Sequence, residues 1–467
     1  MRWLKVLPCF VAVGCVSSVA LYSQVRNLAN VTIYEGARLI IGDTTPPIEG
    51  GAFVVQQGRI VAVGKKGAVM IPPGTTHVDL TGKTVIPALV NIHAHLGWEV
   101  FSANGDIPAA PQTFTAENLL DHLEREAFYG VGTVLDAGSA PIWIAQQFQA
   151  DDMAWNFPQN HAQVLLMAGV VPPLGGPDNI LIKGTEPRRA SYYVLRAPEA
   201  KAAVDMIAVQ GINAVQNIKQ IKVWWSDRNG TYTMLPDIVF DAVIDEAHKH
   251  GIKVHVHATN LVEQKAALKA GVDLVVHTIQ NAKLDDELIA LIKEKKPYWT
   301  PVMGLGDHSE ACDNDPFANE VMPAKVVADI RSSSRCTPNE NAATREAMLK
   351  NNFMTYINSG ARLVLGTDAG VSPTYSFGSS DHHELRRYVQ LGLSPADAII
   401  ASTSRPAEVL GLKDVGTIAE GKVADFVVLN ANPLEDISNT RQINSVYLRG
   451  KKLDREALLE KWKKMSQ

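Results

Sequence analysis

Apolar and polar positions change rhythm along this chain. Between residues 30 and 80, short apolar stretches at 30–34, 52–56, 59–64 and 77–80 read as strands. Gly50-Gly51, Gln57-Gly58 and Pro72-Pro73-Gly74 punctuate them as turns. The long middle has a different grain. Strand-like runs recur at 85–92, 132–136, 163–168, 218–225, 253–257, 274–277, 298–302 and 362–365. Helical patterns at 116–129, 198–210, 236–250, 262–270, 285–295 and 342–359 lie between most of them. Toward the end the first rhythm returns, at 416–418, 424–429 and 445–448.

Strand and helix alternating eight times predict an α/β fold, a (β/α)8 TIM-like barrel with a helical coat. Glycine just after a helix, as in His250-Gly251 and Ala270-Gly271, fits the stop before the next strand. The two β-rich ends predict one small discontinuous β-sandwich domain. The expected division is 1–22 as a signal, 23–86 as the first part of the β-sandwich, 87–405 as the barrel and 406–467 as the second part.

Composition narrows this little. At 467 residues, 46% hydrophobic and 20% charged, the chain suits a large catalytic domain with an accessory one. A formal net charge of -5 and the lack of any basic run exclude an electrostatic case for nucleic acid. The loop at 172–177 lacks the lysine of a phosphate cradle.

The first residues change the picture more. Arg2 and Lys5 precede an apolar run from Val6 to Tyr22, short for a membrane span. With Ser18-Val19-Ala20 near its end, before the chain turns polar, this reads as an export signal. Ala12-Val13-Gly14-Cys15 resembles a lipoprotein cleavage box, so a lipid on Cys15 and an uncleaved anchor both stay open. In each case the folded part is expected outside the cytoplasm: periplasmic, lipid-anchored or secreted. Of the four cysteines, Cys9 and Cys15 lie in this segment. Cys312 and Cys336 remain as a pair that an exported protein can oxidise.

In parallel barrels the chemistry sits at the C-terminal strand ends. The first strand ends in His93-Ala94-His95, whose two imidazoles point to one side. That suits two nitrogen ligands on one divalent metal, though an isolated pair serves as well as wet polar residues. On strand five, His255 and His257 share parity; His257 is nearer the tip, and His255, about 7 Å lower, is expected to pack in the core. Strand six ends in His277 and strand eight in Asp368. A barrel brings these tips to one mouth.

At these residues the chain resembles the amidohydrolase superfamily. The likeness spans nearly everything after the signal. It runs through Gly58-Arg59-Ile60-Val61-Ala62-Val63-Gly64, Leu80-Thr81-Gly82-Lys83-Thr84-Val85-Ile86-Pro87, the His-x-His strand, Gly366-Thr367-Asp368 and Gly421-Lys422-Val423-Ala424-Asp425. The imidazolonepropionase-like and Xaa-Pro dipeptidase-like members are the most similar. Ala88 stands where relatives usually have glycine and Asn91 where many have aspartate; both are expected to be local packing changes.

The resemblance implies a centre of two divalent metal ions, expected to be zinc, bridged by Lys222 carboxylated with CO2. Lys219, of opposite strand parity, should point outward; without modification Lys222 would be an ordinary cation at the rim. One metal would be held by His93, His95 and Asp368, the other by His257 and His277. A hydroxide bridging the metals would be the nucleophile, with Asp368 as the catalytic residue carrying its proton to the leaving amine.

The expected reaction is hydrolysis of an amide bond of the peptide or N-acyl amino acid type, as in a dipeptidase or carboxypeptidase. Alternatives are a cyclic amide or lactone hydrolase, a mononuclear deaminase, and an inactive barrel acting as a binding protein. Many deaminases carry a glutamate just past the strand-five histidine, where this chain has Ala258-Thr259-Asn260. A complete ligand set argues against the inactive barrel. The partner is a small molecule or short peptide, with membrane contact only through the N-terminus. Arg228 and Tyr232 after strand four are candidates to hold a substrate carboxylate, and His383 after strand eight is a candidate substrate contact. His382 and His383 serve equally well as polar residues opening a helix. The sequence leaves oligomeric state open.

Overall fold

Strands β1 (Val31–Leu39), β2 (Ile48–Gln56), β3 (Arg59–Lys65), β4 (Thr76–Asp79) and β5 (Thr84–Pro87) begin the fold of the computed structural model. The middle supplies β6 (Leu89–Ala94), β7 (Val131–Asp136), β8 (Gln163–Leu166), β9 (Ala168–Val171) and β10 (Ser191–Tyr193). It continues with β11 (Gln220–Trp224), β12 (Lys253–His257), β13 (Leu274–Val276), β14 (Tyr298–Thr300) and β15 (Arg362–Leu363). Strands β16 (Phe426–Leu429), β17 (Ile443–Leu448) and β18 (Lys451–Lys452) complete it. The structure describes residues 31–98, 114–153, 160–173, 175, 191–213, 219–227, 230, 232–303, 312–322, 324–332, 336–337, 342–371 and 376–465. The expected signal, Cys9, Cys15 and Arg228 lie outside these residues.

The middle strands form a parallel ring. β6, β7 and β8 pair in order, and β9, β11, β12, β13, β14 and β15 pair in order. β8 and β9 are one run interrupted at Met167, so the two sets join there. The ring closes where Ile92 N–H donates to Leu365 C=O (3.0 Å) and Thr367 N–H to His93 C=O (3.0 Å). Counting β8–β9 as one, this is the eight-stranded barrel, and β10 pairs beside β9.

The helical coat occupies the expected stretches, at Ala116–Phe128, Ala197–Asn213, Asp237–Lys249, Leu261–Ala270, Asp286–Lys295 and Ala342–Asn358. The side chains of Thr115, Asn260 and Asp285 accept N–H bonds in three first turns, each stabilising by about 1 kcal/mol. Gly271 ends its helix at φ 95°, a backbone only glycine adopts freely. Inside the coat, Trp299 stacks on Tyr356 at 4.1 Å, both buried. Each such side chain contributes on the order of 1.5–3 kcal/mol through apolar burial.

Both chain ends build the second unit. Its sheet runs β18-β17-β16-β5-β1-β2-β3, with β4 beside β1. The sheet folds over: Ile60 N–H reaches Lys422 C=O (2.8 Å), and Gly421 N–H returns to Ile60 C=O (2.8 Å). Between its layers Tyr34 stacks on Phe53 (5.0 Å), Phe426 on Tyr447 (4.5 Å), and Phe53 meets Phe426 edge-on (4.9 Å).

Two details differ from or add to the expectations. The run at 85–92 is two strands rather than one. Val85 to Pro87 pair with β16 in the end sheet, whereas Leu89 onward pairs with β7 in the barrel. Cys312 and Cys336 are joined by a disulfide, with Cα atoms 5.4 Å apart. Among the described residues no helix is long and apolar enough to cross a membrane.

Candidate metal centre

Strand eight must lie flush against strand one for their tips to meet. Gly366 permits it, because a Cβ there would come within 2.7 Å of both His93 Cβ and Thr300 Oγ1. Gly370, at φ 97°, lies so close that a Cβ would fall 2.0 Å from the His95 carbonyl oxygen. The result is a tight group. Asp368 Oδ1 lies 2.7 Å from His93 Nε2 and 3.3 Å from His95 Nε2. One ligand atom from each of these buried side chains fits within 4.8 Å of the others.

A second group adjoins the first. His277 Nε2 is 2.8 Å from His257 Nδ1 and 3.9 Å from Asp368 Oδ2. Lys222, only 1% exposed, places Nζ 3.3 Å from His93 Nε2 and 5.1 Å from the centre of the Trp224 ring. Gly138, at φ 80°, keeps the space beside Lys222 open, since a Cβ there would stand 3.1 Å from Lys222 Cβ. Lys219, with the opposite parity, is exposed. His255 is packed in the core with Nε2 2.8 Å from Gln220 Oε1.

Backbone strain concentrates at the same rim. His277 has φ 79°, Val302 φ 51° and Asp368 φ 56°, so strands six, seven and eight each end in the left-handed region. Such residues cost about 1–3 kcal/mol each and persist only where neighbours hold them. The His277 carbonyl accepts from Trp299 Nε1 (2.9 Å) and Gln264 Nε2 (3.3 Å), and Asp368 N–H donates to His93 C=O (2.9 Å).

Electrostatics prepare the group for a cation. Burial and the neighbouring Lys222 ammonium push His93 down to about 3, so its imidazole is neutral. For Asp368, burial alone would raise the carboxyl. The adjoining His93 imidazole outweighs it and holds the group well below the usual range. Neutral imidazoles and an ionised carboxylate are the protonation states that ligate a metal. Buried nitrogen and oxygen donors at this spacing suit zinc or a similar ion.

Supporting residues that the sequence reading passed over complete the arrangement. Asp136, at the tip of β7, accepts from Leu96 N–H, Ser139 N–H, Ala140 N–H and Ser139 Oγ–H, and Ser139 Oγ lies 2.9 Å from His95 Nδ1. Its only sequence signal was a carboxylate at a strand tip. Asn91 does more than adjust packing. Its Oδ1 accepts from His93 N–H (2.9 Å) and its Nδ2 donates to Thr367 Oγ1 (3.0 Å), tying strand one to the Asp368 turn. The carboxyl groups of Asp381 and Glu126 are also fully buried, and the charge of Asp381 acts on Glu126.

One acid does stand past strand five. Glu263 is buried, but its Oε2 accepts from Thr259 N–H (2.6 Å) and Thr259 Oγ1 (3.2 Å), while Asn260 caps the Glu263 N–H. It is committed to the helix start rather than to a proton shuttle.

Six of the expected residues thus meet in one chain of contacts: His93, His95, Lys222, His257, His277 and Asp368. Tyr232 and His383 are not joined to them by these contacts. Tyr232 is half-buried in a turn closed by its N–H on the Asp227 carbonyl (2.9 Å). His383 is half-buried on the helix Ser379–Gln390. Its neighbour His382 is the buried one, with ring nitrogens 2.8 Å from the Tyr129 carbonyl and 3.0 Å from Thr440 Oγ1.

A family model described as the amidohydrolase family matches residues 84–453. An imidazolonepropionase of Deinococcus radiodurans is 25% identical over 447 residues, covering 87% of this chain and 92% of the relative. Among solved structures, a Xaa-Pro dipeptidase with bound methionine in its active site is similar with a TM-score of 0.70. It is 22% identical and covers 91% of this chain and 99% of its own. A phenylurea hydrolase B is similar at TM-score 0.68, 21% identity, covering 92% of this chain and 98% of its own.

Proposed function

Because the chain belongs to the amidohydrolase family, metal-dependent hydrolases of carbon–nitrogen bonds, we propose that it hydrolyses an amide bond of the peptide or N-acyl amino acid type at a two-metal centre. One observation carries this reading. Two groups of ligating atoms, His93–His95–Asp368 and His257–His277, adjoin each other through Asp368, with the buried Lys222 amine against the first.

His93 and His95 would hold one ion with Asp368, and His257 and His277 the other. Lys222 in its carboxylated form would lie between them, turning a cation into an anion that offsets two like charges. Two zinc ions there would supply hydroxide near neutral pH and polarise a carbonyl. Asp368 is the carboxylate placed to take up a proton and return it to the leaving nitrogen. His93 and His95 orient it, and the rim of strained backbone keeps it at the mouth.

The capped Glu263 speaks against the one-metal deaminase, since that acid already serves two bonds to Thr259. The apolar start of the chain and the Cys312–Cys336 pair support an exported protein, periplasmic, lipid-anchored or secreted.

The test is a hydrolysis screen with zinc-loaded enzyme, using N-acyl amino acids, Xaa-Pro and other dipeptides, cyclic amides and lactones. Release of a free amino acid is the expected result. Turnover confined to rings would move the assignment to a cyclic amide or lactone hydrolase. Ammonia released without carbonyl hydrolysis would make it a deaminase.

A further inference from the structure

We infer that Ser139 is a positioning residue that fixes the tautomer of His95, with Asp136 aiming it. Three backbone N–H groups and the Ser139 hydroxyl would be ordinary loop bonds if they ended there. They do not. Asp136 Oδ1 accepts from Ser139 N–H (2.8 Å) and Ala140 N–H (2.8 Å), and Oδ2 from Leu96 N–H (3.0 Å) and the Ser139 hydroxyl (3.1 Å). Asp136 and Ser139 are both buried, and Trp98 Nε1 donates to the Ser139 carbonyl (3.0 Å), so the loop is pinned from a third side.

The hydroxyl has one proton, and the carboxylate takes it. Ser139 Oγ therefore presents a lone pair to His95 Nδ1, 2.9 Å away, and Nδ1 must be the protonated nitrogen. Nε2 is left with its lone pair, facing Asp368 Oδ1 at 3.3 Å. Two acceptors aimed at one point need a cation between them. The carboxylate–hydroxyl–imidazole line so prepares His95 as a ligand through Nε2 before any ion arrives. Partners of this kind typically account for about 10–100-fold in metal affinity.

This rests on the two-metal reading above, and the experiment separates the two. Zn²⁺ binding is titrated against a competing chelator for the full chain and for Ser139→Ala, Ser139→Thr and Asp136→Asn. The Tm of each metal-free chain and the visible spectrum of each Co²⁺-loaded chain are recorded alongside. Ser139→Ala should weaken one zinc equivalent about 10–100-fold and alter the Co²⁺ spectrum, with the metal-free Tm unchanged. Ser139→Thr, which keeps the hydroxyl, should restore both. Tight binding of both equivalents by Ser139→Ala would overturn the inference. So would weakening that Ser139→Thr fails to rescue and that follows a lowered metal-free Tm. Absence of zinc binding by the parent chain would instead overturn the two-metal reading itself.

Discussion

His93 Nε2 lies 2.7 Å from Asp368 Oδ1 although one residue ends the first barrel strand and the other follows the last. Gly366 makes this possible, since any side chain there would press on His93 and Thr300. Gly366→Ala should therefore lower stability by about 1–3 kcal/mol and displace His93. Thermal unfolding and zinc stoichiometry check it. An unchanged Tm with zinc content equal to the parent chain's would show that strand one can retreat at no cost.

Lys222→Ala removes the proposed bridge. Metal-assisted charge stabilisation is worth several kcal/mol, so kcat/KM should fall by on the order of 10³-fold. Acetate or propionate should restore part of the activity by supplying the missing carboxylate. Elemental analysis should find close to two zinc equivalents in the parent chain and fewer in the variant. Lost activity without rescue, at full zinc content, would instead make Lys222 a cation of the rim.

Asp368→Asn tests the proton carrier. It keeps the shape of the side chain but removes its basicity, so kcat should fall by about 10²–10⁴-fold with KM changed far less. A steady-state comparison on one substrate suffices. A rise in KM at constant kcat would mean that Asp368 binds substrate rather than moving a proton.

Glu126 and Asp381 predict a pH effect on folding. Burial and the charge of Asp381 push Glu126 well above the usual range, and burial pushes Asp381 up to about 8. The folded chain therefore holds protons that the unfolded chain releases near pH 4. That stabilisation is full below about pH 4 and is lost as pH rises toward about 8. Asp381→Asn needs no proton, so its Tm should exceed that of the parent chain at pH 8 by a few degrees, about 2 °C or more, with the difference vanishing near pH 4. A constant offset across that range would show that the pair does not titrate with folding.

Much of this molecule is legible along the chain, because the barrel repeats one pattern and its chemistry ends its strands. His93, His95, His257, His277 and Asp368 announce themselves by standing where apolar runs stop. Lys222 needs more, since a lone lysine on a strand has no pattern of its own and only likeness to a family singled it out. Other features depend on partners distant in sequence. Nothing near Ala88 tells that Pro87 pairs with Phe426 and Leu89 with Val131. The Glu126–Asp381 contact spans most of the barrel, and each residue alone reads as a wet helix carboxylate. Asp136 and Ser139 gain meaning only once His95 Nδ1 is seen beside them.

The division at Ala88 has a mechanical consequence. Pro87 is paired in the end sheet, Ala88 N–H donates to the Asp425 carbonyl (3.0 Å), and Leu89 N–H donates to the Gly130 carbonyl (3.0 Å). No slack residue separates the two units at this joint, and His93 stands four residues beyond Leu89. The end sheet is therefore a strut that braces the ligand strand from below. It cannot swing as a lid here without moving His93 and His95, the two candidate ligands at the far end of that strand.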